Sequence, residues 1–399
     1  MPCDLAALLA FAKEEGASDL HISTGLPPML RLRGSIVRLD TPPLTREETH
    51  DAIRTILNEE NRRVFEERRD LDFGFEIPGV SRVRANAFVQ QRGEAIVFRL
   101  VPSQIKSLDE LGMPSVLKEL ALKEKGLVVV TGPTGSGKST TLAALVDFVN
   151  QSKSAHIVTI EDPIEFVHES KNCLVNQREV GAHTSSFAGA LRSALREDPD
   201  IILVGELRDL ETTSLAISAA ETGHLVFATL HTNSAAKTID RIIDIFPCDQ
   251  QSQVRTMLSE SLEGVVAQTL MPTKDGTGRV AAVEILIGVP ALRNLIREDK
   301  TAQIQSVIQI GAGHGMQSLD QSLRDLVKQG LISRTEAVRK SGNSRLFETA
   351  PAGGGATSPQ PAGAGSRAAG SGGSAGNRAQ KPQGADPGET PPRPGLTSG

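Results

Sequence analysis

The chain has 399 residues, 39% of them apolar, enough for two or three domains with cores of their own. Its 43 Lys and Arg against 48 Asp and Glu give a net charge of −5. That balance lacks the basic excess with which proteins neutralise nucleic-acid phosphates, and the absence of Trp and Tyr removes the side chains on which bases stack best, so no nucleic-acid partner is expected.

The cysteines Cys3, Cys173 and Cys248 are too few and too widely spaced for a disulfide framework or a zinc knuckle, which suits a reducing compartment. Near the start, the apolar stretch Ala6–Ala12 follows Asp4 and precedes charged residues, so it predicts an amphipathic helix from Asp4 to Gly16, not a signal peptide. No run approaches the roughly 18 uncharged apolar residues of a membrane span. A cytoplasmic protein without membrane insertion is expected.

Short strands follow the first helix: Asp19–Ser23, then Pro28–Leu39 with a hairpin turn at Arg33-Gly34-Ser35. A polar helix is predicted over Thr45–Arg69, and three more strands over Asp72–Ile77, Ser81–Gln90 and Ala95–Val101. Residues 1–101 therefore read as a small α+β domain and 102–114 as a linker. Beyond it, Gly126–Gly132, His156–Ile160, Ile201–Gly205 and Leu225–Leu230 are unalternating apolar runs. Such runs, separated by helices such as Lys138–Asn150, predict a parallel sheet covered on both faces, an α/β domain over 115–348. The remaining 349–399 is mostly Gly, Ala, Pro, Ser, Gln and Arg, with Leu396 its one large aliphatic. It lacks the apolar surface to offset its ordering entropy and reads as a disordered tail, with a tether or partner hook as the alternative.

The segment Gly132-Pro133-Thr134-Gly135-Ser136-Gly137-Lys138-Ser139, continued by Thr140, follows an apolar strand and opens a helix, matching G-x-x-x-x-G-K-[ST] in the context that motif requires. Glycines let backbone N–H groups wrap phosphates without side-chain clashes, and a helix N-terminus adds favourable partial charge. Lys138 is expected to reach the β- and γ-phosphates of ATP and Ser139 to put its hydroxyl on Mg²⁺.

Two acidic elements lie downstream. Ile157–Phe166 carries Glu161, Asp162 and Glu165, and the strand of Asp198–Glu206 ends in Gly205-Glu206. Carboxylates at the C-terminal ends of parallel strands face the crevice where such sheets bind ligands. Glu206 is read as activating the attacking water with Glu165 assisting, and either carboxylate as helping Ser139 hold Mg²⁺, directly or through water. Asp162 precedes a proline and serves turn chemistry as readily as catalysis. His231, at the end of a core strand, is read as sensing the terminal phosphate, whereas His224 stays open between structure and function. His156, His168 and His183 are read as structural, and no set of residues has zinc-ligand spacing.

Phosphate loop, acidic box, strand ending in Gly-Glu and histidine box, in this order, resemble the secretion-type ATPases that power type II secretion, type IV secretion and type IV pili. Among these the chain is most similar to the pilus retraction ATPases, from about Leu5 to Phe347. ASDLHIS, RVRANAF, IEDPIEFVHESKNCLVNQREV, ALRSALREDPDIILVGE, AAETGHLVFATLHTNSAAKTIDR and the Ala291–Glu298 segment ALRNLIRE look like that family's segments. Leu292 replaces an isoleucine there, a change of equal size.

The resemblance implies a homohexamer of RecA-like P-loop cores, each preceded by a PAS-like domain, with nucleotide between the two. It implies that N-terminal arginines, best matched by Arg84 and Arg99, approach the phosphates. It further implies that Ala291–Glu298 serves retraction, and that the ring works on pilin fibres through an inner-membrane platform protein, at the cytoplasmic face of pilus bases. Cys248 is the one cysteine beyond the histidine box, so the paired CxxC element common in extension and secretion ATPases is missing. A retraction accessory paralogue, an extension or secretion ATPase, a nucleic-acid translocase, and a nucleotide-gated module without turnover are the competing readings.

Overall fold

The computed structural model describes residues 4–347 apart from 33, 78–80 and 102–103. The expected tail, Cys3, the Arg33 side of the first hairpin turn and the start of the expected linker lie outside the described residues. The first helix, α1 (Leu5–Glu14), starts where the Asp4 carboxylate accepts a hydrogen bond from the Ala7 amide at 3.0 Å.

Six strands follow: β1 (Asp19–Ser23), β2 (Met29–Leu32), β3 (Ser35–Arg38), β4 (Asp70–Ile77), β5 (Ser81–Gln90) and β6 (Gly93–Leu100). They form one antiparallel sheet in the order β3-β2-β1-β6-β5-β4. Leu9, Ile53 and Phe65 of the helices pack with Leu20, Ile22 and Phe98 of the strands.

The single polar helix expected over 45–69 is two helices, α2 (Arg46–Ile56) and α3 (Glu59–Arg68). Leu57 is extended and buried, and Asn58 starts the second helix by accepting from the Asn61 amide at 2.8 Å. Burying Leu57 and capping α3 together outweigh an unbroken helix.

After α4 (Val116–Ala121) come β7 (Gly126–Thr131), α5 (Lys138–Ser152), β8 (His156–Glu161), β9 (Leu174–Glu179), α6 (Phe187–Ala194), β10 (Ile201–Val204), α7 (Leu210–Glu221) and β11 (Leu225–Leu230). The chain continues through α8 (Ala235–Asp244), α9 (Gln251–Ser261), β12 (Leu262–Pro272), β13 (Arg279–Ile287), α10 (Pro290–Arg297), α11 (Ile304–Ile310), α12 (Leu319–Lys328) and α13 (Arg334–Lys340). The second sheet runs β13-β12-β7-β11-β10-β8-β9, parallel except for the antiparallel edge strand β13. Leu127 and Val129 of β7 enter one hydrophobic layer, Val128 and Val130 the other. Both faces being covered is why these strands are continuously apolar. This is the expected α/β core behind a small α+β region, with β9, β12 and β13 as strands the sequence reading did not foresee.

Parallel strands deliver their C-terminal ends to one edge of the sheet. The loop after β7, Glu206 after β10 and His231 after β11 therefore collect there.

Candidate active site

The loop between β7 and α5 is bent by its neighbours. Gly132 has φ +150°, and a side chain there would run into the Gln268 carbonyl oxygen and the Ser136 hydroxyl. At Gly137, φ +89°, a Cβ would stand 2.8 Å from Gln268 Nε2. Only glycine fits both conformation and space. Gln268, buried in β12, donates to the Ser136 carbonyl at 2.8 Å and accepts from the Thr141 hydroxyl at 2.8 Å, gripping the loop on one side and the first turn of α5 on the other. Inside the loop the Lys138 ammonium donates to the carbonyls of Gly132 at 2.8 Å and Pro133 at 3.3 Å. Burial pulls the Lys138 pKa down, and the nearby Glu206 and Glu165 restore only part of it.

Across the edge of the sheet, Glu206 is held from two sides. Its Oε2 lies 2.7 Å from the Arg208 guanidinium and its Oε1 3.2 Å from His231 Nε2. The other ring nitrogen of His231, Nδ1, lies 3.5 Å from Lys138 Nζ. Because an ammonium only donates, Nδ1 is the accepting nitrogen and Nε2–H donates a hydrogen bond to the Glu206 carboxylate. Lys138, His231, Glu206 and Arg208 thus stand in one hydrogen-bonded row. Burial pushes the Glu206 carboxyl up, but Arg208 and His231 outweigh it and hold the acid below the usual carboxylate range. The Thr229 hydroxyl of β11 donates to the Gly205 carbonyl, fixing the peptide on which Glu206 is mounted.

Row and loop open onto a cavity of about 400 Å³. Thr134, Gly135, Lys138 and Ser139 line it together with Glu161, Asp162, Glu165, Glu206 and His231. Gly137 and Thr140 instead line a second cleft. Glu161 accepts from the Thr159 hydroxyl at 2.6 Å and Gln177 Nε2 at 3.2 Å, and burial raises its pKa above the usual carboxylate value.

The two arginines suggested by resemblance occupy different surroundings. They are cross-strand partners, Arg84 on β5 opposite Arg99 on β6, and so share one face of the first sheet. Arg84 lines the cavity. Arg99 is not among the lining residues, and its Nε donates to the buried Asp19 at 3.0 Å.

Among the other histidines, His224 bonds the Ala219 carbonyl at 3.0 Å at the start of β11, away from the cavity. His156 bonds Asn176 and the Asp198 carbonyl, and His183 accepts from the Glu179 amide. His168 belongs to the cavity wall, where burial lowers its pKa to about 4 and keeps the ring neutral. Gln268 and Arg208 escaped sequence reasoning. The first shows only as a lone glutamine in an apolar run, the second as the basic residue of Glu-Leu-Arg-Asp.

Among the described residues no cluster of three or more His, Cys, Asp or Glu could hold a metal alone, and no helix is long and apolar enough to cross a membrane. A glycine cradle opening a helix, a lysine within it and a strand-end carboxylate facing it define a P-loop nucleotide-binding protein on an α/β sheet.

The chain belongs to the type II/IV secretion system protein family, whose model matches residues 4–339. It is 61% identical over 338 residues to the type IV pilus retraction ATPase PilT of Pseudomonas aeruginosa, covering 85% of this chain and 98% of that protein. To the type IV pilus ATPase PilU of the same organism it is 42% identical over 331 residues, covering 83% of this chain and 87% of the relative. The crystal structure of the pilus retraction motor PilT with bound ADP superposes with a TM-score of 0.80 at 50% identity, over 86% of this chain and 98% of that one.

Proposed function

We propose that this chain hydrolyses Mg·ATP and uses the cycle to retract type IV pili, and hence to drive twitching motility. The observation that carries the reading is the row joining Lys138 to Glu206 through His231, at 3.5 and 3.2 Å, in a cavity that also receives Arg84 from the other sheet. Lys138 would bind the β- and γ-phosphates against the backbone of residues 132–140. Glu206, charged and oriented by Arg208, would take the proton of the attacking water, with Glu165 assisting. His231, touching lysine and carboxylate alike, would report whether the terminal phosphate is there. Arg84, and beside it Arg99 once released from Asp19, would neutralise charge spreading over the transferred group.

The donor set also suits Mg²⁺. With no cage of its own, the ion would rest on the Ser139 hydroxyl and on Glu165 or Glu206, directly or through water, as Mg²⁺ does beside phosphates. When bound it shields the phosphate oxygens from the attacking water's electrons.

The two sheets would act as two domains, 1–101 and 115–348, hinged at 102–114. A nucleotide held between them turns hydrolysis into a change of angle. Six copies in a ring would transmit that change to an inner-membrane platform protein at the pilus base and thence to the pilin fibre. The 61% identity to a protein named as a pilus retraction ATPase, against 42% to one named only as a pilus ATPase, favours the retraction motor.

Two measurements test this. The assembled chain releases phosphate from Mg·ATP, and Glu206→Ala slows release by about a hundredfold or more. Deleting the gene leaves cells with accumulated, non-retracting pili. Bald cells would instead mean an extension motor, and unchanged pili an accessory protein.

A further inference from the structure

An ion pair outside the row bridges the two sheets. Arg82 of β5 meets Glu179, the last residue of β9, at 2.5 Å, and both side chains are largely buried. The same Glu179 oxygen accepts from the backbone N–H of Ile164 at 3.1 Å. Ile164 lies between Asp162 and Glu165, two acids of the cavity wall, and Glu179 pairs in register with a third, Glu161. One carboxylate oxygen therefore holds the first sheet and the acidic segment together.

Gly74 makes room for this meeting. A Cβ at that position would lie 3.3 Å from Glu179 Oε1 and 3.4 Å from the Arg82 guanidinium. Gly74 is also the register partner of Arg84. Alternate residues of a strand share a face, so Arg82 and Arg84 project the same way, one into the ion pair and the other into the cavity.

We infer that Arg82 and Glu179 are positioning residues. Their pair fixes where Arg84 stands over the cavity and ties that position to the 161–166 segment, so that movement of the first sheet is felt by the acidic wall. The inference rests on the reading of the cavity as an ATP site, in that Arg84 is taken to meet phosphate. Neither partner is among the residues lining the cavity. Their effect passes through Arg84 and the Ile164 amide.

The test uses the full assembled chain with Arg82→Gln, Glu179→Gln, Arg84→Ala and the Arg82→Gln/Arg84→Ala double variant. Mg·ATP turnover and hydrogen exchange at the Ile164 amide are measured for each, the latter without nucleotide. Arg82→Gln lowers kcat/KM by about tenfold to a hundredfold, the scale of a misplaced catalytic group. The double variant loses little more than Arg84→Ala alone, since an arginine already misplaced has little left to lose. Ile164 exchanges faster in both Gln variants, a change that a purely global loss of stability would not confine to this segment. Should Arg82→Gln fail to fold, Glu179→Gln carries the same two readouts.

Losses that multiply in the double variant overturn the inference, and so does unchanged Ile164 exchange. A wild-type chain inert toward Mg·ATP would remove the ATPase reading, and the exchange data would still decide whether the pair holds the segment.

Discussion

The two sheets of this molecule solve different problems. The second is buried on both faces, and its strands β7, β10 and β11 end side by side. Loop, carboxylate and histidine mounted on those ends inherit a geometry set by close packing, as the uninterrupted row from Lys138 to Arg208 attests. The first sheet is antiparallel, and its strand β3 is exposed along its whole length. It contributes Arg84 to the cavity and anchors to the core through Arg82 and Glu179. One sheet carries the loop, carboxylate and histidine, while the other adds the charge of Arg84 to their cavity. Groups that must keep a fixed spacing belong on the deeply buried scaffold, and a group that arrives belongs on the lighter one.

The contrast is sharpest at the two arginines. Arg84→Ala is expected to slow Mg·ATP turnover by about a thousandfold, the scale of an arginine that neutralises a phosphoryl transition state. Arg99→Ala, starting from a side chain committed to Asp19, should cost far less in the same phosphate-release assay. Equal losses would break the distinction drawn between them.

Stability should divide along the same line. Phe227→Ala, in the middle of the parallel core, should cost about 3–5 kcal/mol in urea unfolding. Ile36→Ala, on the exposed strand β3, should stay within about 0.5 kcal/mol. Between these lies Gln268→Ala, which leaves the Ser136 carbonyl and the Thr141 hydroxyl buried without their partner and should cost about 1–3 kcal/mol. It should also raise KM for ATP, because the cradle loses its brace.

The smallest effect expected is a shift in a pH profile. Arg208 and His231 hold Glu206 below the usual carboxylate range against a burial effect that acts the other way. A carboxylate acting as base works above its pKa and fails as pH falls through it. Removing Arg208 frees the burial effect, so the acid limb of kcat/KM in Arg208→Ala should move to higher pH. A limb that stays in place, or moves down, would mean that another group sets it.

Much of this was legible in the residues. The phosphate loop declares itself because its chemistry tolerates so few residue types, and the core strands because two covered faces leave no polar alternation. What stayed hidden depends on pairing or on distance. β9 is a polar edge strand, held by backbone bonds that side-chain pattern does not record. β12 carries Glu263 and Gln268 within its apolar run, which blurred the signal. The break before α3 was written in Asn58 with two glutamates behind it, but an uninterrupted polar composition masked it. Gln268 meets a loop that lies 132 residues earlier, and Arg82 a partner 97 residues later. Neither meeting leaves a local trace. The resemblance supplied both Arg84 and Arg99, and it was the Asp19 contact, invisible in either strand alone, that told them apart.

The tautomer of His231 has a further consequence. Its accepting nitrogen is turned to Lys138 and its donating nitrogen to Glu206, so one flat ring spans the two ends of the site. An anion that draws the ammonium to itself weakens the ring's hold on Lys138 and leaves the imidazole free to lean toward the carboxylate. In the proposed mechanism, occupancy of the cradle would thereby be read at Glu206 through the side chains of Lys138 and His231.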